Sequence, residues 1–563
     1  MKHIGPISGI AAHAARFVAT AGYDNQVILW NAATGEPIHR VHHDHLANQC
    51  AFSSDGKHLV SASSDYTARI WEVPSMRLKA VLQGHNDDVE MAVFSPDSQR
   101  VATCSRDHVL RIFDLDGVQL QAFHGHQADV ISVVWSPDGQ RLISSSDDGT
   151  VRQWDTRSGQ QCDEVDIGGV ETDTIAITRE GVVFAGDDEG RISIIAQGQV
   201  QTVPAHAAGI KRIVWNDDKR LLVSLSYDRS AILWTFDAGR NLVKRRSTAL
   251  PSIVWPRSCA FVGDEQLVFA TFGSRYATWN YEQDQWQVSG IEPAVSINAV
   301  VRSDERQYSI GDAGILHRDD QPVTSVGSLC NFLLPFGPLL LTGGQMGQVF
   351  DGLSGRMLYQ HRSPLNCGAT FVRNGEDLAL IGTYTGEGLV FGHDGQGGLR
   401  LVASIPMHDN AIKGVAADER HLFSVCASAD AALHSIEDFS SVRHIEGAHT
   451  RISNGCCPIT GGFASIGRDL KLRLWLETGD EVFDSPHQHS IKCIAASGDG
   501  RVIATAAYNG TVALFDLASR RWLPMQRPTA SGISCLTHDA ASDAFLASSY
   551  DGRIYGIDAR LAS

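Results

Sequence analysis

Residues 130–155 read Val130-Ile-Ser-Val-Val-Trp135-Ser-Pro-Asp-Gly139-Gln-Arg141-Leu-Ile-Ser-Ser-Ser146-Asp-Asp148-Gly-Thr-Val-Arg-Gln-Trp154-Asp155. Val130 to Trp135 alternates as a half-buried strand does, Ser136-Pro-Asp-Gly139 is a hairpin turn, and Arg141 to Ser146 resumes the alternation. Asp148 then stands six residues before Trp154 on a third apolar strand. The same spacing recurs from Asp24 to Trp30, Asp65 to Trp71, Asp107 to Phe113 and Asp228 to Trp234. Weaker copies at Asp188, Gly273, Asp312, Met346, Thr385, Asp430, Asp469, Asn509 and Asp551 bring the repeats to fourteen.

Neighbouring anchors are 34 to 45 residues apart. A mean near 40 residues is the length of one four-stranded propeller blade. No stretch shows a sustained 3.6-residue period, so helices are minor or absent. Rings usually hold four to eight blades, which makes one ring of fourteen improbable. The expected fold is therefore all-β: two tandem seven-bladed β-propellers of four-stranded antiparallel blades, 1–290 and 291–563, with the second more divergent. The last blade is expected to lack its outer strand, or to be completed by a partner chain, because only 559–563 follow its third strand.

These residues resemble the WD-repeat β-propellers, whose units carry Gly-His near the start and Trp-Asp near the end. Here Trp154-Asp155 is the one literal Trp-Asp, and Gly-His appears at Gly84-His85 and Gly125-His126. The equivalent histidine recurs at His3, His45, His206, His408, His449 and His489. The resemblance implies a buried His, Ser/Thr, Asp and Trp network within a blade. Carried onto this chain, the complete sets are His45, Ser63, Asp65, Trp71; His126, Ser146, Asp148, Trp154; and His206, Ser226, Asp228, Trp234. Other blades lose one member, with Phe113 in place of Trp and Gly22 or Gly467 in place of the hydroxyl residue. The chemistry suits the types: indole N–H only donates, a hydroxyl does both, and a carboxylate accepts. A Ser-His-Asp grouping also suggests a hydrolase, but a set repeated in several blades is structural, because a nucleophile is needed once.

Composition narrows the function. The formal net charge is -17, and an acidic excess weighs against a phosphate-backbone ligand, so no nucleic acid is expected. No apolar run approaches the ~20 residues of a membrane helix, and Met1 to Pro6 has no apolar core for a secretion signal. The 11 cysteines are unpatterned, as expected of reduced thiols. The histidines at 42, 43 and 45 and at 487 and 489 are local neighbours, so neither a metal nor a cofactor is expected. Gly382 to Gly388 lacks the Gly-Lys-Ser/Thr ending of a phosphate loop.

The candidate binding residues come from the position just before each anchor, at the axial end of strand two. Five of the 11 tyrosines fall there. Tyr and Arg are the types enriched at interaction hot spots. Tyr23, Arg106 and Tyr227 on one ring, and Tyr384, Arg468, Tyr508 and Tyr550 on the other, are the candidate partner-binding residues. The function expected is a non-enzymatic, cytoplasmic scaffold or adaptor that binds other proteins through propeller faces. Alternatives are a regulatory subunit of a bacterial ATPase or signalling assembly, and an axial-channel enzyme or small-ligand binder.

Overall fold

The computed structural model describes residues 1–168 and 170–559. Every element with a regular ladder is a β-strand, and consecutive strands pair antiparallel throughout. They form fourteen sheets: thirteen of four strands, and a last one of three, Ile533–Asp539, Ala544–Ser549 and Ile554–Asp558. The expectation of an incomplete final blade agrees with those three strands as far as they go. The remainder of it falls on 560–563, which lie outside the described residues.

The chain divides into two compact units, 1–294 and 295–563. Seven sheets fall in each. In the first unit the innermost strand of blade one, Ile7–His13, packs on that of blade seven, Val254–Val262, so the ring closes. Ile10 N–H donates to Ser258 Oγ at 3.2 Å, and His3 N–H to the Ser274 carbonyl at 3.0 Å, across that junction. In the second unit Ile297–Ser303 packs on Ile533–Asp539, where Arg302 Nη1 meets Asp539 Oδ2 at 3.1 Å. Each blade is built from consecutive strands, so among the described residues neither ring closes by strand exchange.

The burial pattern explains the stacking. Strand two is buried beyond its first residue or two in every blade, and from end to end in Phe17–Gly22 and Leu221–Ser226, because both sheet faces are covered by neighbouring blades. Outermost strands such as Gln161–Asp166 and Ser441–Ile445 are exposed and charged. Core clusters accordingly join adjacent blades, as where Leu142 and Trp154 of blade four meet Ala102, Leu110 and Phe123 of blade three.

Twelve of the fourteen innermost strands share one irregularity. Their register slips after the first residue, between Ile7 and Gly9, Ala47 and Gln49, Ile297 and Ala299, Leu365 and Cys367, and Ile491 and Cys493. A β-bulge of this kind frees the second residue from the ladder and re-aims its side chain. In the second unit those residues are Asn298, Asn331, Asn366, Lys413, Asn454, Lys492 and Ser534, one per blade, and all seven line a single cavity. The bulge therefore turns one chosen side chain per blade toward the axis.

Candidate functional site

Two sets of polar residues stand out: the networks inside the blades and the residues around each axis. In blade four Trp154 Nε1–H donates to Ser144 Oγ at 2.8 Å, His126 Nε2 meets the same oxygen at 2.8 Å, and His126 Nδ1 meets Asp148 Oδ2 at 2.8 Å. The hydroxyl is Ser144 and not Ser146. Ser146 instead accepts the Asp148 N–H at 3.1 Å and donates to the Ala128 carbonyl, which holds the turn.

The same correction applies in two other blades. Ser224, not Ser226, joins Trp234 to His206 and Asp228, while Ser226 Oγ donates to the Ala208 carbonyl at 2.7 Å. Ser61, not Ser63, accepts from Trp71 Nε1 at 2.8 Å, and Ser63 caps the turn by accepting the Asp65 N–H. In that blade the imidazole is His43, not His45: His43 bonds Ser61 at 2.7 Å and Asp65 at 2.9 Å, while His45 offers its carbonyl to Ser63. The reason is strand parity. Residues two apart point to the same face, but the one at the strand end is drawn into the turn.

Moving the hydroxyl two residues upstream also completes two blades that had looked defective. Thr20 joins His3, Asp24 and Trp30, and Ser465 joins His449, Asp469 and Trp475. Histidine contacts hold the carboxyls of Asp65 and Asp148 well below the usual carboxylate range against the opposing effect of burial. Blade thirteen shows what happens without the carboxylate. Asn509 stands at its anchor, His487 lies between Thr511 Oγ1 at 2.8 Å and Thr505 Oγ1 at 3.0 Å, and burial lowers the imidazole to about 4.

The seven candidate binding residues are all half-buried at the axial ends of their strands. The first unit spends them on itself. Arg106 pairs with Glu90 and, at 2.8 Å, with Asp129. Tyr23 meets Trp255 edge-on at 5.2 Å, and Tyr227 lies 4.9 Å beneath the Lys211 ammonium. Lys211 is gripped by both Asp173 and Asp188. Burial, relieved in part by Lys211 and aggravated by Asp173, raises Asp188 to about 8. Burial, with the charges of Glu171 and Asp129, also raises half-buried Asp147 well above the carboxylate range. This axis is acidic and largely neutralised from within.

The second unit is different. Tyr508 and Tyr550 lie parallel, 6.4 Å apart and inclined by 12°. Lys413 sits 4.5 Å from the Tyr384 ring and Lys492 5.8 Å from that of Tyr508. Arg468 is near enough to act on Lys492 as a like charge. Tyr384, Arg468, Tyr508 and Tyr550 are therefore brought to one mouth, with two lysines that the sequence analysis overlooked.

Also overlooked was the ring of bulge residues. Asn298 donates to the Cys330 carbonyl at 3.0 Å, Asn331 to Leu365 at 2.8 Å, Asn366 to Ile412 at 2.7 Å and Asn454 to Ile491 at 2.6 Å. Ser534 completes the circuit at the Ile297 carbonyl. In the first unit Ser8 reaches the Ala47 carbonyl and Asn48 that of Val89. Each bond joins one blade to the next. The signal was present as an asparagine one residue into successive inner strands.

A family model for the WD domain, G-beta repeat, matches residues 35–72, 76–114, 117–155, 197–235 and 482–516. Each match starts near an outermost strand and ends at the third strand of the following blade, so the sequence repeat is offset from the sheet by one strand. The chain thus carries five WD repeats, set among rings of antiparallel blades. It is similar to the small ribosomal subunit protein RACK1 of Neurospora crassa, 41% identical over 56 residues. That likeness covers 9% of this chain and 18% of the relative.

Proposed function

We propose that this protein is a non-enzymatic cytoplasmic scaffold or adaptor that captures other proteins at the axial mouth of its second unit. The observation that carries the reading is the parallel pair Tyr508 and Tyr550, half-buried beside Arg468 and Tyr384. Large, stiff aromatic surfaces with a polar tip, set beside a guanidinium, are the composition of an interaction hot spot. In the first unit, by contrast, Arg106 is held by Glu90 and Asp129, and the Lys211 that covers Tyr227 is held by Asp173. The WD repeats support the reading, as does the short likeness to a relative named as a small ribosomal subunit protein. The eleven cysteines are unpaired, which agrees with a reducing compartment.

The test is a variant carrying Arg468→Ala, Tyr508→Ala and Tyr550→Ala, compared with wild type in affinity capture read by quantitative mass spectrometry. Specific partners should fall at least about tenfold, as removal of hot-spot residues does, with the second unit's melting temperature unchanged. Equal recovery of every partner by both proteins would retire the proposal.

A further inference from the structure

The axis of the second unit breaks its own pattern at two blades. Five of its seven bulge residues hand a hydrogen bond to the next blade, and the two that do not are Lys413 and Lys492. Among the described residues neither ammonium makes a hydrogen bond or a salt bridge. What each touches is a tyrosine ring. Lys211, at the same strand position in the first unit, also lies over a tyrosine but is clasped by two aspartates. The lysines of the second unit keep the aromatic contact and lack the counter-charge.

Among the described residues no carboxylate pairs with either lysine. The carboxyl hydrogen-bonded to a lining residue is Asp312, held by Asn298 at 2.8 Å, and burial raises it to about 6. Cys367, also in the lining, is pushed by burial to about 12 and stays a neutral thiol. Lys492 stands closest in effect to Tyr508, with Arg468 near enough to act on it as a like charge. The cavity between these groups measures about 300 Å³, at the small end of sites for free ligands. Two half-buried cations with unmet charge, in a wall otherwise closed by hydrogen bonds, form a local inconsistency of the kind that marks a functional site.

We infer that the axial cavity of the second unit binds a small ligand with two anionic groups, one on Lys413 and the other on Lys492. An ammonium is a compact point charge with three donors, suited to phosphate or carboxylate oxygens. The ligand class is a compact bisphosphate or dicarboxylate. This site goes beyond the proposed function and does not depend on it.

The probe is inorganic pyrophosphate, titrated calorimetrically into the full chain, with sodium chloride at matched ionic strength as the reference. Saturable one-to-one binding is expected. Lys413→Met and Lys492→Met should each weaken it by at least about tenfold, and together abolish it. Lys244→Met, on an exposed outer strand of the first unit, should leave it unchanged. If the methionine variants melt early, the Lys413→Arg, Lys492→Arg pair carries the test, since retained charge should retain binding within about tenfold. Heats no larger than those of chloride, a Lys413→Met, Lys492→Met protein that binds like wild type, or an arginine pair that folds and does not bind would each overturn the inference.

Discussion

Replacing Trp279 by alanine is expected to lower the unfolding free energy of the first unit by about 3–5 kcal/mol, the usual cost of deleting a fully enclosed aromatic side chain. Trp279 has no exposed surface and belongs to a cluster that joins blades six and seven through Leu221, Val223, Leu233, Leu267 and Phe269. Its ring lies parallel to Trp286 at 5.7 Å and edge-on to Phe269 at 6.3 Å, and its N–H donates to Asp284 at 3.0 Å. Truncation therefore leaves a cavity between two blades and removes the aromatic contacts. Blade seven is also the one that meets blade one, so loosening it should reach the ring closure. Guanidinium unfolding followed by far-UV circular dichroism checks the value. A loss below about 1 kcal/mol would show that the site collapses without cost and that the packing described is wrong.

The second large effect separates two serines of one strand. Ser144→Ala should cost the same unit about 2–4 kcal/mol, because it leaves two buried groups unpaired, at ~1–3 kcal/mol each. The Asp148 carboxylate accepts from His126 Nδ1, so His126 Nε2 accepts the Ser144 hydroxyl proton, and Ser144 Oγ accepts the Trp154 N–H. Removing that oxygen strands an indole donor and an imidazole acceptor together. Ser146→Ala breaks only turn contacts and should cost about 1 kcal/mol, the net value of an ordinary hydrogen bond. The two serines are equally buried, so burial alone predicts equal losses. The ordering measured by denaturant unfolding decides between them. A Ser146→Ala loss equal to or above that of Ser144→Ala would contradict the network as described.

These two serines also mark how far sequence alone carries. The repeat was legible because a blade is a local object: a turn of Ser-Pro-Asp-Gly type, a strand on each side, and Asp148 six residues before Trp154 are all fixed by chain geometry. The hydroxyl of the network was not. Ser144 and Ser146 share a face, and only the curl of the chain into the turn separates their roles. His43 and His45 are also two residues apart, in a loop where the side chain of the first reaches the network and the second offers its carbonyl. The axial residues were harder still, since a bulge is a matter of backbone register that leaves the hydrophobic period unchanged.

The contrast between the two axes follows from convergence across blades. Lys211 and Lys492 are alike in sequence, each one residue into an inner strand that starts with isoleucine. Only folding brings Asp173 and Asp188 to the first and leaves the second beside Tyr508 and Arg468. Fourteen similar blades thus give two dissimilar mouths, one whose lysine is clasped by two aspartates and one whose two lysines meet tyrosine rings.

Site-directed photo-cross-linking tests most directly whether that second mouth is where partners bind. A photoreactive p-benzoylphenylalanine is placed at Tyr508, or at Val482, which is half exposed on an outermost strand of the same unit. Irradiation in cells should give discrete adducts from position 508 and none from 482. Adducts from 482 with none from 508 would move the binding surface to the outer rim and contradict the account.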